Sequence, residues 1–254
     1  MIKIVIIGTG NLASHLFGAF LDNPLVQIVE MAGRNKRELA KFEKEVPVRS
    51  DIKKIADADI YIIAVSDGAI GEVAAQLQHK NAMVVHTSGA MPLSILSMNA
   101  RRGVFYPLQT FTKGRKISFS DIPICVEAGT KKDLELLKRL GGSFSGSVSV
   151  LSSEQRSTLH LAAVFANNFT NHLYRISAQL CAKNNIPFTI LLPLIRETAQ
   201  KITEISPERA QTGPAVRDDG KTMEKHLSLL QNRTHKEIYS LLSGSIKETH
   251  DKEL

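Results

Sequence analysis

Cysteine is nearly missing from this sequence: Cys125 and Cys181 stand far apart and alone among 254 residues. That excludes a disulfide framework, and two separate thiols fit a reducing compartment, the cytoplasm. No apolar run reaches the roughly 20 residues that cross a bilayer, so neither a membrane span nor a membrane partner is expected. No charged-then-apolar leader precedes the first strand-like segment. The ending Asp251-Lys252-Glu253-Leu254 resembles an ER-retention tail, which has no meaning without secretion. Dense basic tracts interleaved with aromatics are lacking as well, so no nucleic-acid partner is expected. No metal site is expected, and no internal repeat or low-complexity stretch stands out. What remains is a globular composition, 43% hydrophobic and 22% charged. A net charge of +7 favours an anionic ligand such as a phosphorylated cofactor.

The N-terminus carries the strongest signal. The β-branched run Ile2-Lys-Ile-Val-Ile-Ile7 passes straight into Gly8-Thr-Gly10-Asn11-Leu12-Ala13, and a helical pattern follows at once. This is the strand–turn–helix setting in which a dinucleotide pyrophosphate rests on a helix N-terminus. Gly8 permits the tight turn, Gly10 lets backbone approach the phosphates, and Ala13 stands where a third glycine usually lets helix pack on strand. Asn11 and Leu12 complete the expected pyrophosphate cradle.

Beyond it, Leu12, Leu16 and Phe20, with Ala13, Phe17 and Leu21, form the apolar stripe of a helix lying on a sheet. Strands are expected at 26–32, 47–49, 59–65, 82–86, 103–106 and 122–126, and helices at 35–45, 70–77 and 131–140. The nearly all-apolar 59–65 run suits a parallel strand covered on both faces. The spacing predicts a Rossmann-like, doubly wound α/β fold with a mainly parallel sheet. Near residue 150 a Gly/Ser-rich patch gives way to helical pattern: a long helix from 154 to about 184, then helices at 189–205, 222–230 and 234–247. The expected division is a dinucleotide-binding domain over 1–150 and an all-helical substrate and dimerisation domain over 151–254.

Loops after strands are where such sheets bind ligands. After the second strand comes Gly33-Arg34-Asn35-Lys36-Arg37, with Glu30 too early to reach a ribose. Arg34 can fork onto a 2′-phosphate beside Asn35, so the expected cofactor is NADP. Val65 and Ser66 follow the fourth strand, and His86-Thr87-Ser88-Gly89 the fifth. Tyr106-Pro107-Leu108-Gln109-Thr110 follows the sixth. Val65, Ser66 and Thr87 are expected at the cofactor and Ser88 at the substrate, while His86 reads either as a proton donor or as a structural ring. At about 100° per residue His160, Asn167, Asn171 and Tyr174 share one stripe of the long helix. Asn is a poor mid-helix residue, so such a stripe points to a polar cleft or to interhelical bonds in a dimer core. His160 is the expected proton donor, with Asn167 and Asn171 orienting a small-molecule substrate. In the loop 211–219, Arg217 reads as an anion contact, and Asp218 or Asp219 as a helix cap.

The Gly-Thr-Gly-Asn turn, His86-Thr-Ser-Gly89, Tyr106-Pro-Leu-Gln-Thr-Phe111 and Thr212-Gly-Pro-Ala-Val-Arg-Asp218 together resemble a bacterial family of NADP oxidoreductases. That family joins a Rossmann-like domain to a helical domain of unknown function. More distantly the chain is similar to pyrroline-5-carboxylate reductase, to deazaflavin-dependent NADP reductases and to the 6-phosphogluconate dehydrogenase superfamily. The resemblance implies a homodimer through the helical domain and hydride transfer to a carbonyl or imine. The β-hydroxyacid dehydrogenases of that superfamily carry a catalytic lysine on the long helix, and here no Lys occurs from Glu154 to Ala182. A nucleotide-sensing protein without chemistry, or reduction of a deazaflavin, stays open beside the oxidoreductase reading.

Overall fold

The computed structural model describes residues 1–78 and 80–251, so the Asp-Lys-Glu-Leu ending lies, but for Asp251, outside the described residues. The strands β1 Ile2–Ile7, β2 Val26–Ala32, β3 Val48–Arg49, β4 Ile60–Ile63, β5 Met83–His86, β6 Arg101–Pro107, β7 Ile124–Ala128 and β8 Val148–Val150 form one sheet. Its order is β3-β2-β1-β4-β5-β6-β7-β8, parallel except where β6 meets β7. The chain leaves β1 toward β2 on one side and returns with β4 on the other, so the topological switch point lies between β1 and β4, the place where such sheets open a crevice.

Alternation along β1 divides the core. Ile2, Ile4 and Ile6 join the cluster of Leu16, Phe20, Phe105 and Leu137 under helices α1 (Asn11–Leu21) and, later in the chain, Lys131–Gly142. Val5 and Ile7 join Tyr61, Ile63, Val73 and Leu77 on the other face. Burial on both faces explains the unbroken apolar strands that stand out in the sequence.

The expected helix over 35–45 shrinks to α2, Lys36–Leu39. From Lys41 to Val46 the backbone bonds follow tight turns, and these bring Leu39, Phe42 and Val46 into the core together. After α3 (Ile70–Ala75) and α4 (Lys131–Gly142), the Gly/Ser-rich patch holds β8, which a reading as linker passes over. The long helix is α5 (Ser153–Ala163), a π-helical stretch over Val164–Phe169, and α6 (Thr170–Lys183). Ser152 and Gln155 close a capping box at its start. The remaining helices are α7 (Leu192–Lys201), α8 (Pro207–Ala210), α9 (Gly220–Leu229) and α10 (Arg233–Asp251).

By compactness the chain divides into residues 1–165 and 166–254, against the boundary near 150 expected from composition. The difference has a cause: α5 is bonded to the sheet unit through Ser153 and Arg156. Among the described residues, no helix is long and apolar enough to cross a membrane.

Candidate functional site

The glycine turn is forced by its surroundings. Gly8 has φ +136°, and a Cβ there would lie 2.0 Å from the carbonyl oxygen of Ala64 at the end of β4. Only glycine accepts both conditions. Gly10 is the N-cap of α1, and a Cβ on it would meet no atom within 4 Å. No side chain caps this helix, and no acidic residue stands in its first turn. Its leading N–H groups and the positive end of its dipole therefore remain available to an anion. A cavity of about 420 Å³ opens at this point, and Gly8, Gly10, Asn11, Leu12, Arg34, Asn35, Val65 and Ser66 all line it. The donor set fits a dinucleotide: a backbone cradle for a pyrophosphate, with an exposed guanidinium at the far end of β2.

Within that set the side chains differ in what they have left to offer. Asn11 donates from Nδ2 to the Phe111 carbonyl at 3.0 Å, tying the turn to the loop after β6. Asn35 Oδ1 accepts from the Glu38 N–H and caps α2, leaving its amide hydrogens. Arg34 makes no ion pair among the described residues. Glu30 is buried and already holds Arg49 at 3.0 Å and the Ala56 N–H at 2.8 Å, so it is unavailable to a ribose. Thr87 is buried away from this cavity, its hydroxyl donating to the Ile63 carbonyl at 3.2 Å.

A second cluster sits at the ends of β5 and β6. Tyr106 Oη and His160 Nδ1 are 3.1 Å apart with the rings edge to face. Gly89 packs against both: a Cβ there would come within 2.8 Å of the tyrosine ring and 2.7 Å of His160 Nδ1. Burial, with a smaller push from Cys125, raises the Tyr106 pKa against an opposing pull from the Arg156 charge, so the phenol keeps its proton at neutral pH. Ser88 shapes the same loop, its oxygen accepting from the Ala90 and Met91 N–H groups at 3.1 and 3.0 Å. His86 is buried, and its Nδ1 accepts from the Ser88 N–H at 3.2 Å. Burial first and the Arg156 charge second push His86 down to about 4, outweighing the Pro92 carbonyl and Asp67. It is thus a neutral structural ring at pH 7.

The remaining expected residues belong to the second unit. Asn167 lies in the π stretch and Asn171 on α6, both exposed. A π-helix bonds i to i+5 and turns through fewer degrees per residue, so the 100° reckoning that aligned them with His160 does not carry through Val164–Phe169. Asp219 caps α9 through the Thr222 N–H, Asp218 pairs with Lys247, and Arg217 stands exposed. Sequence reasoning passed over Tyr106 as a specific partner and missed Arg156 and Glu127. Arg156 stands one turn before His160, but nothing in the pattern marks it as buried.

Two family models match the chain. One, described as NADP oxidoreductase coenzyme F420-dependent, covers residues 3–89, and the other, a domain of unknown function (DUF2520), covers residues 122–246. No curated protein matches in sequence. Among solved structures, a protein from Bacteroides fragilis assigned as an NADP oxidoreductase is 39% identical, covering 97% of this chain and 98% of that one, with a TM-score of 0.91. A 1-pyrroline-5-carboxylate reductase from Streptococcus pyogenes is similar at 17% identity, 99% and 97% coverage and TM-score 0.66. A reductive aminase from Aspergillus terreus, in complex with NADPH and ethyl-5-oxohexanoate, is similar at 14% identity, 99% and 94% coverage and TM-score 0.71. The last two show the shared fold.

The depressed His86 pKa predicts an acid sensitivity. Unfolded, this ring titrates near 6.5; folded, near 4. Its contribution is therefore complete above about pH 6.5 and falls as pH drops toward 4, by up to roughly 3 kcal/mol. His86→Asn keeps an acceptor for the Ser88 N–H and removes the titration. Urea melts should show a smaller stability loss between pH 6.5 and 4 in the variant than in the wild type; equal losses would contradict the assignment.

Proposed function

The chain belongs to the NADP oxidoreductases that join a dinucleotide-binding sheet to a DUF2520 domain, and from that we propose reduction of a small polar carbonyl or imine with His160 as proton donor. The observation that carries the reading is the Tyr106–His160 pair packed on Gly89. It stands three strands along the sheet edge from the glycine turn, roughly 14 Å at about 4.8 Å per strand. Residues on this side of the switch point would hold the nicotinamide half of a dinucleotide anchored at the turn.

When bound, NADPH supplies the hydride; the chain's own residues hold and protonate. The N–H groups at the start of α1 cradle the pyrophosphate, and Arg34 forks onto the 2′-phosphate with Asn35 beside it. Val65 and Ser66 shape the crevice, and Thr87, buried behind it, stays out of contact. Tyr106 donates its O–H to His160 Nδ1, which orients the ring and presents the Nε2–H to the carbonyl oxygen or imine nitrogen; as that proton leaves, Tyr106 or solvent water returns one to the ring at Nδ1, so the imidazole ends neutral. Ser88 has one hydroxyl hydrogen left for the substrate. A histidine donor also suits a long helix without the superfamily's lysine. The names of the distant relatives, reductive aminase and pyrroline-5-carboxylate reductase, support an imine or carbonyl substrate.

The helical unit supports a homodimer. Among its described apolar side chains only Ala215 and Leu230 are buried, while Phe169, Ile190, Leu194, Leu229 and Leu241 are at least half exposed. A second copy covering these faces gives the unit the core it otherwise lacks. The two unbridged thiols support a reducing cytoplasm as the place of action.

Sedimentation equilibrium should return twice the 27.9 kDa chain mass; a monomer at micromolar concentration would refute the dimer. Arg34→Ala should weaken NADPH binding about 10- to 100-fold, the worth of a charged hydrogen bond, and leave NADH binding unchanged. Equal losses for both would remove the phosphate assignment. Against a panel of small carbonyl and imine compounds, His160→Gln should lower kcat about 10²- to 10⁴-fold with the NADPH Kd unchanged. Tyr106→Phe should cost less. Full turnover in His160→Gln would exclude the histidine as donor.

A further inference from the structure

The proposed chemistry leaves one large buried group unused. Arg156, on α5 one turn before His160, is 1% exposed, the bulkiest fully buried side chain described. Its Nη1 pairs with Glu127 on β7, and its Nη2 donates to the Met91 carbonyl at 2.6 Å. Ser153, one turn earlier, donates its hydroxyl to Glu127 at 2.8 Å and accepts from the Leu93 N–H at 2.9 Å. Three segments therefore meet at one polar knot: the first turn of α5, strand β7, and the loop that runs on from Gly89.

These are the segments that surround the proton donor. His160 is carried by α5, and Gly89, against which its ring packs, lies two residues before Met91. Tyr106 lies on β6, where Val104 is paired with Glu127 and Tyr106 with Cys125. Desolvating a guanidinium is expensive, and packing alone would be served as well by an apolar side chain. What the guanidinium adds is direction, because its planar fork bonds two segments at fixed angles. The same charge draws Tyr106 down against the effect of burial and helps keep His86 neutral.

We propose that Arg156, braced by Glu127 and Ser153, is a positioning residue that holds the loop after β5, β7 and α5 in the register in which Tyr106 and His160 are hydrogen-bonded. The proposal rests on the reading of that pair as the proton-transfer site. Arg156 touches no reacting atom; it acts through the segments it ties together.

The test uses the full chain with ¹⁵N-labelled histidine, the His160 signals being assigned by their loss in His160→Gln. In the wild type a single tautomer, with Nδ1 accepting from Tyr106, gives two well-separated ring nitrogen shifts. Arg156→Met should move these shifts toward each other as the tautomers mix, and lower kcat roughly 10- to 100-fold, the scale of a slight misplacement. NADPH affinity should stay unchanged, because Arg156 does not line the dinucleotide cavity. Arg156→Lys, which keeps the charge without the fork, should fall between. If Arg156→Met does not fold, Ser153→Ala decides, with a smaller shift in the same direction. Unmoved His160 signals in a folded, NADPH-binding Arg156→Met, or in Ser153→Ala where that stands in for it, would overturn the proposal. Should the signals move while His160→Gln retains full turnover, the anchoring holds and the donor assignment fails, so the two ideas are separable.

Discussion

The approach of Gly8 to the Ala64 carbonyl is the contact on which the site depends. β1 and β4 must pair closely to seal the centre of the sheet, and the chain must turn sharply at the end of β1 to start α1 over one face. Both demands fall on one residue, which takes φ +136° with backbone 2.0 Å from where a Cβ would stand. Because the turn is this tight, α1 begins directly at the switch point with its N–H groups uncapped. The cavity, the basic end of β2 and the loops after β4 and β5 follow from that placement. An anion-binding crevice is thus a product of the sheet's central packing.

Polar groups at the other end are sorted by burial. Two histidines stand near the ends of neighbouring strands in opposite settings. His86 is sealed in, bonded to its own loop and pushed down to about 4, so it stays neutral. His160 is partly open and bonded to a phenol that burial keeps protonated. Arg156 influences His86 and Tyr106 as a charge and fastens the segments around them as a fork. The proposed chemistry and the architecture share one polar layer above β5, β6 and β7.

The dinucleotide half was legible in sequence because its signals are local. A β-branched run, a Gly-x-Gly turn and an apolar helical stripe occupy twenty consecutive residues, and backbone sterics allow little else. The place of Arg34 at the rim of the crevice and the discounting of Glu30 were legible for the same reason, while the role of Arg34 toward a phosphate stays a proposal. The Tyr106–His160 contact was not, since it joins residues far apart through a fold, and nothing in the pattern of α5 separates a buried arginine from a solvated one. The 100° reckoning along the long helix assumed regular α-geometry, and the π stretch at Val164–Phe169 breaks that assumption. Strand β8 was hidden because three residues of alternating pattern within a Gly/Ser patch look like linker.

The account turns on where the reactive end of the cofactor lies, and a crystal structure of the protein with NADP⁺ measures that directly. It should show the pyrophosphate on the N–H groups that open α1 and the nicotinamide ring beside Gly89, Tyr106 and His160. A ring lying away from that pair, with the pyrophosphate on the same turn, would contradict it.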